Sequence, residues 1–94
     1  MMTPVERALL IIRNDEPRSV TEFGELMWPA AGEHVSIDKK KRYWRYCGAM
    51  FTSRLCHRKL AERKYMLSGL GYHFVGWRLT LHGEQVVALA RGIM

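Results

Sequence analysis

With 48% hydrophobic and 26% charged residues, a chain of 94 residues makes one small globular domain, large enough for a single core and too short for two. No apolar run approaches the ~18 residues a membrane span needs, and Glu6 stands where a signal peptide would turn apolar, so the sequence excludes a membrane partner and predicts a cytoplasmic chain. The net charge of +6 is unevenly held: residues 39–64 carry ten of the fifteen lysines and arginines with Glu62 as their only acid, a local balance of +9 against −3 elsewhere, which points to a polyanion partner.

Thr3-Pro4 suits the start of a first helix, threonine as cap and proline in the first turn. Val5, Ala8, Leu9 and Ile12 recur at helical spacing, and Asn14-Asp15-Glu16-Pro17 ends the run. A second helix starts at Ser19 or Thr21, with capping-box spacing in Ser19-x-x-Glu22; its apolar side is Phe23, Leu26 and Met27, and Trp28-Pro29 closes it. Residues 30–42 read as a loop containing Gly32, Val35 and Ile37, then Asp38 and the run Lys39, Lys40, Lys41, Arg42. A long helix is predicted to begin between Tyr43 and Gly48 and to end near Lys64. Projected at about 100° per residue, Ala49, Phe51, Leu55, Cys56 and Leu60 share one arc, and Ser53, Arg54, His57, Arg58, Ala61 and Lys64 the opposite one.

Beyond the helix the composition turns to strands. Tyr65-Met66-Leu67, the turn Ser68-Gly69-Leu70-Gly71 and a returning strand from Phe74 to Leu79 read as a hairpin, with Trp77 and Leu79 on one face and Arg78 on the other. Thr80 is placed to cap a last helix with Val86, Val87, Leu89 and Ala90 apolar. The predicted core is Leu9, Ile12, Phe23, Leu26, Phe51, Leu55, Leu60, Trp77, Leu79 and Leu89. Cys47 and Cys56 are nine residues apart, have neither CxxC nor HxxxH company, and read as structural thiols.

Leu60, Arg63 and Tyr65-Met66, then a glycine-bearing hairpin, then Leu79, Thr80 and Gly83, resemble the end of a winged helix-turn-helix domain. Phe23 with Met27-Trp28-Pro29 is similar to the end of the second helix in small, uncharacterised winged-helix proteins of bacteria and phages. The resemblance implies a mainly α fold with a small β-hairpin: a three-helix core, a wing and a C-terminal helix in one domain over residues 1–94. The family's turn before its recognition helix is short, so the stretch at about 30–45 reads as a basic loop insertion.

The implied function is duplex DNA binding by a small transcriptional regulator or accessory factor, with residues 46–64 holding the recognition helix. Ser53, Arg54, His57 and Arg58 would face base edges, since arginine can donate two hydrogen bonds to guanine and serine or histidine serve bases or phosphates. Lys39, Lys40, Lys41, Arg42, Arg45 and Lys64 would hold phosphates, and Arg78 would touch the backbone from the wing. Paired catalytic carboxylates, GxSxG, HExxH and a phosphate-binding glycine loop are all absent from the sequence, which predicts no enzyme, cofactor or metal. Other readings stay open: a protein-interaction module, or an RNA or single-strand binder through Tyr43, Trp44 and Tyr46 beside the basic run, unless Trp44 anchors the loop to the core. A homodimer through the terminal helices would use Val86, Val87 and Leu89, unless the first helix covers them.

Overall fold

A computed structural model of the chain describes residues 2–30 and 35–90; Gly32 lies outside the described residues. Thr3 caps α1 (Pro4–Asp15), its hydroxyl accepting from the Glu6 amide and its own amide donating to the Glu6 carboxylate, both at 3.2 Å. Ser19 caps α2 (Val20–Met27) by accepting from the Glu22 amide at 3.0 Å, while the Glu22 carboxylate reaches one residue further back, to the Arg18 amide at 3.1 Å.

The third helix departs from the sequence reading at both ends. It is α3 (Ile37–His57), capped by Ser36 with Asp38 in its first turn, so Lys39, Lys40, Lys41 and Arg42 are helical and no basic loop exists at those positions. Its far end stops well short of Lys64. Lys59 adopts a left-handed φ of 60°, its amide donates to the Cys56 carbonyl, and the Leu60 amide donates to the Leu55 carbonyl, both at 3.0 Å. That is the double hydrogen bond of a helix stop in which Leu55 and Leu60 close an apolar contact over the turn, and both are buried here. Ala61 and Lys64 therefore belong to a strand and not to the helix.

β1 (Ala61–Ser68) and β2 (Gly71–Leu79) pair antiparallel from Ala61 opposite Leu79 to Ser68 opposite Gly71. Val75 is extra, because Lys64 faces Gly76 and Tyr65 faces Phe74. Gly76 takes φ 134° at this bulge, and a Cβ there would lie 2.8 Å from the Pro17 carbonyl oxygen. Thr80 then binds two segments. Its hydroxyl donates to the Lys59 carbonyl and accepts from the Gly83 amide at 3.0 Å, so the turn after α3 and the start of α4 (Leu81–Ala90) are held by one side chain.

The described residues thus form a mainly α fold of four helices with one two-stranded hairpin. The core is Ala8, Leu9, Ile11 and Ile12 of α1, Phe23 and Met27 of α2, then Leu55, Leu60, Ala61, Trp77 and Val87. Leu26, Phe51 and Leu79 pack half-buried against it. Leu89 is exposed, contrary to the sequence reading: Gly83 and Val87 point α4 at the core, and Leu89 lies about 200° round the helix from Val87.

Helices α2 and α3 meet backbone to backbone. A Cβ on Gly24 would overlap the Trp44 carbonyl, and one on Gly48 the Val20 carbonyl. Trp44 is buried beside this crossing and donates its indole N–H to the Trp28 carbonyl at 2.9 Å, so it is an anchor. The Trp28 ring meets Phe23, Tyr43 and Phe51 edge-on. These contacts fix which side of α3 is left to solvent.

Candidate nucleic-acid interface

At 1.5 Å per residue the 21 residues of α3 make a rod about 30 Å long. Its inner side is spent on Trp44, Gly48, Thr52 and Leu55, all buried, with the Thr52 hydroxyl donating back to the Gly48 carbonyl at 2.7 Å. Exposed along the helix are Lys39, Lys41, Arg42, Tyr43, Arg45, Tyr46, Ser53, Arg54, His57 and the cap residue Arg58, with Lys41 projecting on the Gly48–Thr52 side near the N-terminus. Lys40 is half-buried. Two cationic groups result, one in the first half and one at the C-terminal end, with an uncharged stretch over residues 46–53 between them.

The outer residues do not form one flat face. By helical projection, Arg42, Tyr46, Ser53 and His57 fall in one narrow stripe. Arg54 and Arg58 lie to one flank, where with Phe51 and Leu55 they border a shallow groove against Val5 of α1. The other flank turns toward the hairpin, where Val20, Ala49 and Thr52 share a groove with Arg63, Tyr65, Phe74 and Trp77. Ala49, expected on the core arc, is exposed here. Arg63, which the sequence does not single out as a site residue, is the strand cation on the α3 side. The clue was the period-two alternation of Arg63, Tyr65 and Leu67, hidden when the segment is read as helix.

Lys64 and Arg78 are placed differently from their predicted roles. Lys64 is half-buried on the opposite face of the hairpin, in a groove with Glu16, Arg18, Met66 and His73. Arg78 shares that face and pairs with its cross-strand neighbour Glu62 at 2.9 Å. Strand alternation separates both from the outer face of α3.

Two ion pairs occur among the described residues, Arg78–Glu62 and Arg13–Glu84 at 3.4 Å, and neither involves α3. Asp38 is the only acid within α3. The neighbouring Cys47 pushes the Tyr43 phenol above its ordinary pKa, chiefly by charge and then by a side-chain hydrogen bond. Burial pushes the Cys56 thiol up against the opposing pull of Arg63. Both cysteines are free. No helix among the described residues is long and apolar enough to cross a membrane.

Comparison with protein families, curated proteins and solved structures gives no match for this chain.

Proposed function

We propose that this protein binds duplex DNA, as a small regulator or accessory factor built on a winged-helix plan with α3 as recognition helix and β1–β2 as wing. The observation that carries the reading is the set of exposed cations along α3: Lys39, Lys41, Arg42, Arg45, Arg54 and Arg58 with no ion-pair partner among the described residues. A solvated helix face gains stability from alternating signs, whereas unpaired cations along a 30 Å rod, about 30 Å being the rise of 21 residues, suit a phosphate backbone.

Helix electrostatics favour the same conclusion. The N-terminal end of a helix carries partial positive charge, so each lysine or arginine there opposes the macrodipole, a term of about 0.3–1 kcal/mol near a terminus. Lys39, Lys40, Lys41 and Arg42 crowd that end. A sequence that accepts this cost uses the charge elsewhere. In the proposed arrangement residues 39–45 hold phosphates, and Ser53, Arg54, His57 and Arg58 approach base edges from the C-terminal half. Arg63, on the α3 side of the hairpin, takes the flanking role that the sequence suggests for Lys64 and Arg78.

Exposed Tyr43 and Tyr46 among the cations favour a second reading, single-stranded nucleic acid stacked on aromatic rings. Trp44 is unavailable for it, being buried. The deciding experiment is selection of bound fragments from a random duplex pool, with competition by single strands. Enrichment of a sequence and weak competition are the expected results. Equal competition would favour the single-strand reading, and no binding at low salt would favour a protein-interaction module.

A further inference from the structure

Beyond Arg63 the hairpin holds a feature that phosphate contact does not use. From Tyr65 to Trp77 there is no lysine, arginine, aspartate or glutamate, in a chain whose net charge is +6. The register puts Tyr65 opposite Phe74 and Leu67 opposite Tyr72, so these four side chains ladder along one face. At the base the ladder joins the core: Phe74 packs on Trp77 with ring centroids 4.8 Å apart, and Tyr65 meets Phe74 at 6.0 Å. Toward the tip it is open to solvent. Tyr65 is 55% exposed, Leu67 65%, Tyr72 77% and Leu70, in the turn, 101%.

A two-stranded ribbon is marginal on its own, and one with bare apolar residues more so. At about 200 Å² for a fully open side chain of this size, these four residues leave on the order of 600 Å² uncovered. Doubled across a symmetric contact that is about 1,200 Å², the lower limit of specific protein interfaces. Charge selects the occupant. Arg63 shares this face at its base, but the tip residues Leu67, Leu70 and Tyr72 lie about 13 Å or more beyond it along the strand and offer no cation to a polyanion or an anionic membrane surface. Two copies that each carry +6 can therefore meet at the tip without setting cation against cation.

We infer that a second copy of this chain packs on the ladder, Leu67, Leu70 and Tyr72 of one protomer meeting the same residues of its partner across a two-fold axis. The contact does not require the DNA-binding reading, although the ladder lies on the α3 side of the hairpin, beyond Arg63. It also differs from a dimer through the terminal helices, since Val87 is in the core and Val86 packs against it.

Sedimentation equilibrium of the full chain across the micromolar range tests it. The expected result is a mass that rises to a plateau at two copies, with dissociation weakened by added salt as the +6 bodies are screened. Leu70→Lys and Leu67→Lys should each loosen the dimer at least about tenfold, because they bring like charges together at the axis. Leu70 is fully exposed, so its variant keeps the fold, and an unchanged far-ultraviolet circular dichroism spectrum would verify this. A single-copy mass throughout, a dimer indifferent to both variants, or open-ended growth would each overturn the proposal.

Discussion

Helix α3 and the hairpin share a groove but divide the surface chemistry between them. The outer side of α3 collects unpaired cations around tyrosines and small polar residues, while the distal hairpin is uncharged and apolar. Neither choice serves the stability of its own element: the cations crowd the wrong end of a helix dipole, and the apolar ladder faces water. An ordinary small domain would mix the two sets. Their separation fits the two proposals: a polyanion along α3 and the base of the hairpin at Arg63, and an uncharged surface at the hairpin tip.

The largest effect expected is on salt dependence. If about six cations of α3 neutralise phosphates, log K for duplex should fall against log salt with a slope near −5, or about three decades between 50 and 200 mM. Each cation removed from α3 should make the slope shallower by about one. Removing Leu67 or Tyr72 should leave it unchanged. Titration by fluorescence anisotropy at several salt concentrations measures both, and a slope that responds to hairpin variants would erase the division of labour.

Next in size is the footing on which α3 stands. Gly48→Ala would drive a Cβ into the Val20 carbonyl, and backbone has to move. The expected cost is about 2–3 kcal/mol, larger than the ~1 kcal/mol that alanine returns in helix propensity. Gly69→Ala at the hairpin turn meets nothing within 4 Å and should change stability by less than about 0.5 kcal/mol. Urea denaturation of the two variants compares them directly. Equal stabilities would mean that α2 and α3 do not cross at Gly24 and Gly48.

The two ends of α3 should also differ from each other. Arg54→Ala or Arg58→Ala should cost about 1–3 kcal/mol on a preferred duplex and much less on random sequence, as expected for guanidinium groups reading base edges. Replacing Lys39, Lys40 and Lys41 together should weaken both duplexes alike, because flexible ammonium groups define no base geometry. Titrating both sets of variants against both duplexes separates the cases. Equal losses on both duplexes for the arginine variants would show that the C-terminal half supplies only charge.

The parts legible in the sequence were those with complete local signals. Thr3-Pro4, Ser19 and Thr80 announced three helix starts, and each side chain makes its capping bond. The start of α3 was hidden because Ser36 has Lys39 where a capping box has an acid, and a run of lysines read as solvated loop. Yet Trp44, Gly48, Phe51, Thr52 and Leu55 carry the helical spacing back toward Ile37. Its end was hidden because the left-handed stop residue is Lys59 and not glycine. Ala61 through Lys64 are good helix formers by propensity, overridden by pairing with Gly76 to Leu79. That error in turn misplaced Lys64 and concealed Arg63. The exposed residues Ser53, Arg54, His57 and Arg58 were readable because they precede it.

The smallest effect is the one that separates stability from use most cleanly. Ser36 accepts a hydrogen bond from the Lys39 amide at 3.4 Å, so residue 39 occupies the third position of α3, where a glutamate could reach back to the Ser36 amide. Lys39→Glu would complete that capping box, remove a cation from the positive end of the dipole and add an anion there. Each change stabilises the helix, and together they should raise stability by about 0.5–1.5 kcal/mol, several degrees in Tm for a domain of this size. Lys39 is exposed and makes no ion pair among the described residues, so no described contact opposes the gain. The same substitution changes the local charge by two in the segment proposed to hold phosphates, so duplex affinity should fall and the salt slope should become shallower by about one or more. Thermal denaturation and anisotropy titration of one variant therefore read opposite signs. A variant more stable and equally tight on DNA would mean that the N-terminal cations of α3 touch no phosphate. A variant less stable would mean that Ser36 is not the cap.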